Sequence, residues 1–329
     1  MQYIACGFFG NDIWVFNHAE TYKRFLKGHK DPVISLLFNS KNPNILFSTD
    51  LNGTIIVWDL SKPEGKECIK VLVGHTGTVN SVSFAAPRTL ASGSSDHKVI
   101  LWDVSESAGQ ELTRVLAKHQ HCVCSVDFSK KNEKILASAS CDHTIKIYNI
   151  SKDIGQERIK TLKGHKDWVE ILSFSPFDPN KLISSSCDKE IKVWNIKNET
   201  GKECIKTLTG HASRISFIEW SPFDRNILIS SDYDGIVRFW DILRPGGKEC
   251  ISVLKMGGSG MPLSFNFFDP TNIVSTTVVL DEIARMLNMT RPEVEKRIKT
   301  TSRISYIGSY WNNIIAFRTT WLPYKEKLA

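Results

Sequence analysis

The chain has 329 residues, 41% of them hydrophobic and 23% charged, and a formal net charge of +7. That is enough apolar material for a large buried core, and no apolar run reaches the roughly 20 residues that a membrane-spanning helix needs. The opening "MQYIACGFFGNDIWVF" has no basic stretch ahead of its apolar part, so it reads as strands and not as a secretory leader.

In chain order, "YIACGFFGNDIWVFN" predicts two adjacent strands and "ETYKRFLKGH" a third, outer one. From Lys27 a longer unit starts, "KGHKDPVISLLFNSKNPNILFSTDLNGTIIVWDL", and it recurs from Val73, Ala117, Lys163 and Thr209. Each copy has a histidine near its start, an alternating apolar run, a second short run and a polar turn. A third run then ends on Trp-Asp or a variant of it, and an outer strand such as "ECIKTLT" follows. The histidines His29, His75, His119, His165 and His211 stand 44 to 46 residues apart. A fixed period of that length is the signature of stacked structural units. A His and an Asp near a serine suggest a hydrolase triad, but a catalytic centre is needed once and this pattern is present five times. The polar turn carries Asp96, Asp142, Asp188 and Asp234, with Asn52 substituted in the first copy; such residues tolerate tight-turn dihedrals.

The copies resemble the WD-repeat (WD40) family in their Gly-His near the start and in Trp58-Asp59, Trp102-Asp103, Trp194-Asn195 and Trp240-Asp241 near the end. Tyr148-Asn149 is a substituted ending, and Ala117-Lys118 replaces the usual residues before His119. The resemblance covers residues 1–269 and implies a mostly β fold, a β-propeller of four-stranded blades. The count gives six blades, five whole and one composite. The chain begins inside a blade, and an inner strand from "MPLSFNFFDP" is expected to pair with the N-terminus and close the ring; a seventh blade follows if the tail adds strands. The family also implies a hydrogen-bonded set of His, turn Asp, strand Ser or Thr and Trp within each blade: His165, Asp188 and Trp194 form one, His75, Asp96 and Trp102 another. The remaining members are His29 with Trp58, His119 with Asp142, and His211 with Asp234 and Trp240.

The eight cysteines lie mostly at repeated places: Cys68, Cys204 and Cys250 all lie in "KEC", and Cys141 and Cys187 precede the turn Asp. That pattern suits reduced thiols and a cytoplasmic or nuclear protein. "HQHCVC" (119–124) gathers two His and two Cys, but His119 is the repeated histidine, Cys122 and Cys124 fall on an inner strand, and the spacing is not C-x-x-C, so no metal is expected.

After Asp269 the pattern changes, and residues 270–329 form a separate α+β segment. "VVLDEIARMLNMTRPEVEKRIKTT" predicts two helices, the second opened by a Thr290–Glu293 capping box with Pro292 in its first turn; "RISYIGSYWNNIIAFRTTW" predicts a hairpin about Asn312-Asn313. The order resembles the winged-helix half of PCI domains. The alternative is a modified blade with inserted helices, because "YIGSYWNNIIAF" also matches the N-terminal "YIACGFFGNDIWVF".

The sequence shows no phosphate loop and no isolated nucleophile with a base, so neither catalysis nor a cofactor nor a small-molecule substrate is expected. The expected function is a protein-interaction scaffold within a larger multiprotein complex. Three residues past the blade histidines stand Pro32, Thr78, Cys122, Trp168 and Arg214; Trp and Arg dominate interface hot spots. Trp168, Arg214, Lys189, His121 and Tyr233 are the candidate partner-binding residues on the family's top face. The alternative is an RNA- or DNA-associated adaptor, since residues 270–329 hold nine Lys/Arg against five Asp/Glu.

Overall fold

The computed structural model describes residues 3–7, 11–17, 23–85, 87–105, 112–116, 118–221, 224–255, 263–265, 273–275 and 314–317. The N-terminal part gives β1 (Tyr3–Gly7), β2 (Ile13–Asn17) and β3 (Lys23–Leu26). The first repeat gives β4 (Val33–Phe38), β5 (Ile45–Asp50), β6 (Ile55–Asp59) and β7 (Cys68–Leu72). The second gives β8 (Val79–Ala85), β9 (Thr89–Ser94), β10 (Val99–Asp103) and β11 (Leu112–Val115). The third gives β12 (Val123–Ser129), β13 (Asn132–Ser140), β14 (Thr144–Asn149) and β15 (Arg158–Lys163). The fourth gives β16 (Val169–Phe174), β17 (Lys181–Ser186), β18 (Ile191–Asn195) and β19 (Cys204–Leu208). The fifth gives β20 (Ile215–Trp220), β21 (Ile227–Asp232), β22 (Ile236–Asp241) and β23 (Cys250–Lys255). Each repeat is one four-stranded antiparallel sheet, a propeller blade.

Side-chain pattern explains the stacking. On β6, Ile56 and Trp58 join the core shared with the N-terminal sheet, and Ile55 and Val57 join the core shared with the second repeat. A strand covered on both faces is buried on both, and β6, β10, β14 and β18 are, mostly with apolar residues but with Lys146 on β14 and Lys192 on β18; the ends of β5, β9, β13 and β17 bury small polar residues such as Ser48, Ser92, Ser138 and Ser184. The outer strands β7, β15 and β19 keep one buried anchor each: Leu72 is 1% exposed while Val71 beside it is 50% exposed. The core is therefore a series of inter-blade layers and not one central mass.

Within each blade the histidine is buried and saturated. His165 Nδ1 donates to Asp188 (2.9 Å), its Nε2 accepts from Ser184 Oγ (2.8 Å), and that Oγ accepts from Trp194 Nε1 (2.8 Å). The same set joins His75, Asp96, Ser92 and Trp102. In the third repeat His119 bonds Asp142 and Ser138, and Tyr148 Oη stands 3.4 Å from Ser138 in place of the indole. Two assignments are corrected. His211 bonds Asp232, not Asp234, and His29 bonds Asp50, not a residue at Asn52. Asp232 and Asp50 lie two residues earlier, at the strand end, and the turn then closes through Gly235 and Gly53, whose φ values are 75° and 92°. Where the turn Asp is retained, its carboxylate takes over that capping and His97, His143 and Lys189 adopt the positive φ instead.

The blade that contains the N-terminus is composite, but its fourth strand comes from elsewhere than expected. β26 (Ile314–Phe317) is its innermost strand and pairs with β1 through Ile4↔Phe317, Ala5↔Ala316, Cys6↔Ile315 and Gly7↔Ile314. The "LSF" of 263–265 is β24 and pairs locally with β25 (Ile273–Ser275) in a two-stranded sheet. The predicted helices within 279–300 and the turn at Asn312-Asn313 lie outside the described residues.

Candidate interaction face

The loops that carry the blade histidines and the turns between the second and third strands lie at one end of the sheets. Three positions per repeat converge there. The first is three residues past the histidine: Pro32, Thr78, Cys122, Trp168 and Arg214. The second is set by a β-bulge in every first strand, at Ile34, Asn80, Cys124, Glu170 and Ser216, where the register slips between flanking residues such as Val169 and Ile171. A bulge takes that residue out of the ladder and re-aims it. The third follows the second strand: Leu51, Ser95, Cys141, Cys187 and Tyr233, whose backbone N–H groups donate to the carbonyls of the first set.

Trp168 is 37% exposed, its indole stacked on the His121 ring at 6.2 Å between centroids. His121 stacks in turn on His97 at 5.6 Å and 12° between planes. Three repeats thus contribute one ring each to a continuous aromatic row ending on Trp168. Its backbone is held by Cys187 N–H donating to Trp168 O (3.0 Å) and by Asp167, which accepts from Trp168 N–H. Lys189 occupies the left-handed position of the neighbouring turn at φ 68°.

Arg214 is not a free anchor. Its guanidinium makes a two-pronged ion pair with Glu170 of the preceding blade and lies 5.6 Å over the Tyr233 ring. Burial pushes the Glu170 carboxyl above its usual range against the pull of Arg214. Burial alone would lower Arg214, but the Glu170 bond outweighs it and holds the guanidinium above its ordinary value. Arg214 therefore ties two blades together, and Tyr233 lies under it. Sequence reading missed Glu170; the signal available was one acid inside the apolar run "WVEILSF".

The "HQHCVC" residues disperse. His119 is in the blade set, His121 is in the aromatic row, and Cys124 Sγ meets Cys141 Sγ at 3.2 Å. The Cys124 contact, with burial, raises the Cys141 thiol, and burial with the nearby Glu170 carboxylate pushes Cys187 up to about 12. Thiols so raised are poor nucleophiles and poor ligands. Among the described residues no group of three His, Cys, Asp or Glu is placed to hold a metal ion.

The family model for "WD domain, G-beta repeat" matches residues 20–59, 66–103, 110–149, 156–195 and 202–241, more than half of the chain. The chain belongs to the WD-repeat family. Curated WD-repeat relatives include the F-box/WD repeat-containing protein sel-10 of Caenorhabditis elegans, 35% identical over 65 residues, and the nuclear distribution protein PAC1 of Candida tropicalis, 35% identical over 74 residues. Those matches cover 20% and 22% of this chain and only 11% and 14% of the relatives' lengths. WD-repeat domains generally act as protein-interaction scaffolds, and each matched unit runs from the outer strand of one blade through the three inner strands of the next. No helix among the described residues is long and apolar enough to cross a membrane.

Proposed function

We propose that this WD-repeat protein is a non-catalytic scaffold, a subunit of a larger protein assembly, that holds a partner segment against the face around Trp168. The observation that carries the reading is the exposed indole at the end of the His97–His121–Trp168 row, on a rigid set of turns. A large aromatic ring already immobilised by stacking loses little entropy on binding, which is what makes such residues interface anchors. Lys189 and Lys166 beside it favour a partner segment with acidic as well as apolar side chains. The family's general role supports the scaffold part of the reading, and the placement of Cys68, Cys204 and Cys250 at equivalent outer-strand positions supports a reducing compartment, cytoplasm or nucleus.

The test is purification of the wild-type and Trp168→Ala proteins from their native source at high salt. Loss of a stable partner, with a melting temperature unchanged, is the expected result, corresponding to about 2 kcal/mol or more of binding free energy. Retention of every partner by Trp168→Ala would sink the reading. Arg214 is left intact in this test, because its removal disturbs the fold.

A further inference from the structure

The third repeat departs from its siblings at one edge, and the departures converge on a cleft of about 590 Å³ whose lining includes Asp142, Thr144, Lys146, Arg158 and Lys163. Three permanent cations, Lys146, Arg158 and Lys163, face it against the single carboxylate of Asp142. That carboxylate is already committed to His119 and to the backbone N–H groups of Gln120 and Thr144.

Comparison between blades shows how the charge comes to be unbalanced. Lys192 is the fourth-repeat counterpart of Lys146, and there Glu190 neutralises it at 2.9 Å. Thr144 stands at the Glu190 position in the third repeat, so Lys146, itself only 7% exposed, donates to the Lys118 carbonyl and meets no acid. Arg158 stands where three other copies have a cysteine, Cys68, Cys204 and Cys250, and the second has Leu112; it pairs across from Tyr148. Among the described residues the Arg158 and Lys163 side chains have no hydrogen-bond or ion-pair partner, their backbones being in the β14–β15 ladder. Elsewhere the same strands spend their cations on buried glutamates: Arg114 on Glu157 and Lys160 on Glu203. Burial lowers the Lys146 ammonium against the pull of the Asp142 carboxylate, and the neighbouring Arg158 adds to the lowering, so three cations share the cleft with one acid.

We propose that this cleft binds a small phosphate-bearing ligand of two or more negative charges, with Lys146 and Arg158 on its oxygens and Lys163 at the rim. The volume lies in the range of small-molecule sites and is too large for a bare ion, and a planar guanidinium beside two ammonium groups suits phosphate oxygens. The cleft adjoins the same histidine loops and turns as the Trp168 face and runs from them along the outer strand β15; the inference is argued from its cations and does not depend on the proposed scaffold role.

Two substitutions borrowed from sibling blades test it without foreign geometry. Thr144→Glu installs the acid of the fourth repeat, and Arg158→Cys restores the common residue. The full chain is titrated calorimetrically with inorganic pyrophosphate at 150 mM potassium chloride, roughly a physiological ionic strength. Saturable 1:1 binding is expected, weakened at least tenfold by each variant, with a wild-type melting temperature that rises with pyrophosphate and not with chloride of matched ionic strength. Absence of saturable binding, or equal affinity in wild type and both variants, overturns the proposal. So does binding confined to a phosphoserine peptide, which would assign the cleft to a partner's modified segment, or confined to RNA and abolished at that salt, which would reduce it to general electrostatics.

Discussion

His165 shows what one residue of the repeat does. Both ring nitrogens are bonded, and the ring is buried. His165→Ala leaves Asp188 and Ser184 short of partners inside the fold, so a loss of about 1–3 kcal/mol in unfolding free energy is expected, read from urea denaturation, with partner binding unchanged at temperatures where the protein is folded. Acid should act on the same sets. Burial lowers His119 and His211 despite their carboxylate partners. Burial alone would raise Asp188, but the bonds from His165, Lys166 and Glu190 together hold it at about 2. For both kinds of group the unfolded chain binds more protons than the folded one once pH falls below the unfolded pKa. Stability should therefore decline first as pH drops below about 6.5, from the histidines, and again below about 4, from the aspartates. A urea midpoint constant from pH 7 to pH 5 would contradict the first step. Arg214→Ala should cost about 3 kcal/mol, because it strands the buried Glu170 charge; a melting curve identical to wild type would show that the pair contributes nothing.

Among elements, the third blade carries a compensated exchange. In the first two repeats a Cβ on the glycine before the histidine would meet the indole: 2.9 Å from Trp58 at Gly28, and 2.9 Å from Trp102 at Gly74; at Gly164 the approach to Trp194 is 3.2 Å. In those repeats the indole and a side chain at that position compete for space. The third repeat has neither glycine nor tryptophan, but Lys118 and the smaller ring of Tyr148. Tyr148→Trp alone should be destabilising, and Lys118→Gly with Tyr148→Trp should recover part of the loss. A double-mutant cycle is expected to give a coupling of about 1–2 kcal/mol, and additive single effects would refute the exchange. The outer-strand ion pairs are a second inter-element device. Arg24–Glu67, Arg114–Glu157, Lys160–Glu203 and Lys206–Glu249 each link one blade's outer strand to the next blade's hairpin.

For the whole molecule, the two ends of the chain meet in one sheet. With β26 as the innermost strand of the N-terminal blade, a contact between residues more than 300 positions apart protects β1 from being an open edge. Ile315→Pro places a proline inside the stretch paired with β1 and should lower the melting temperature by several degrees and speed hydrogen exchange in β1–β3 relative to β12–β19. Unchanged exchange in β1 would show that another segment closes this blade. The repeat blades in the middle of the array should be insensitive, since each buries its faces against its own neighbours.

The repeat, its strand order and the buried histidines were legible in the chain because each is local: a period of 44 to 46 residues and apolar alternation recur five times, and every copy reports on the others. Where the copies differ, local reading faltered. It assigned the turn residue Asp234 to His211, whereas the side chain that reaches the ring belongs to Asp232, since a two-residue offset in a turn cannot be ranked without the backbone. It treated Arg214 as a free anchor, but the bulge that aims Glu170 at it lies on another blade. It closed the N-terminal blade with the nearest apolar run, while the strand that pairs there arrives from Ile314–Phe317. Strand identity depends on local pattern; which strand fills an edge, and which charges meet across blades, depends on contacts distant in sequence, which only the tertiary structure decides.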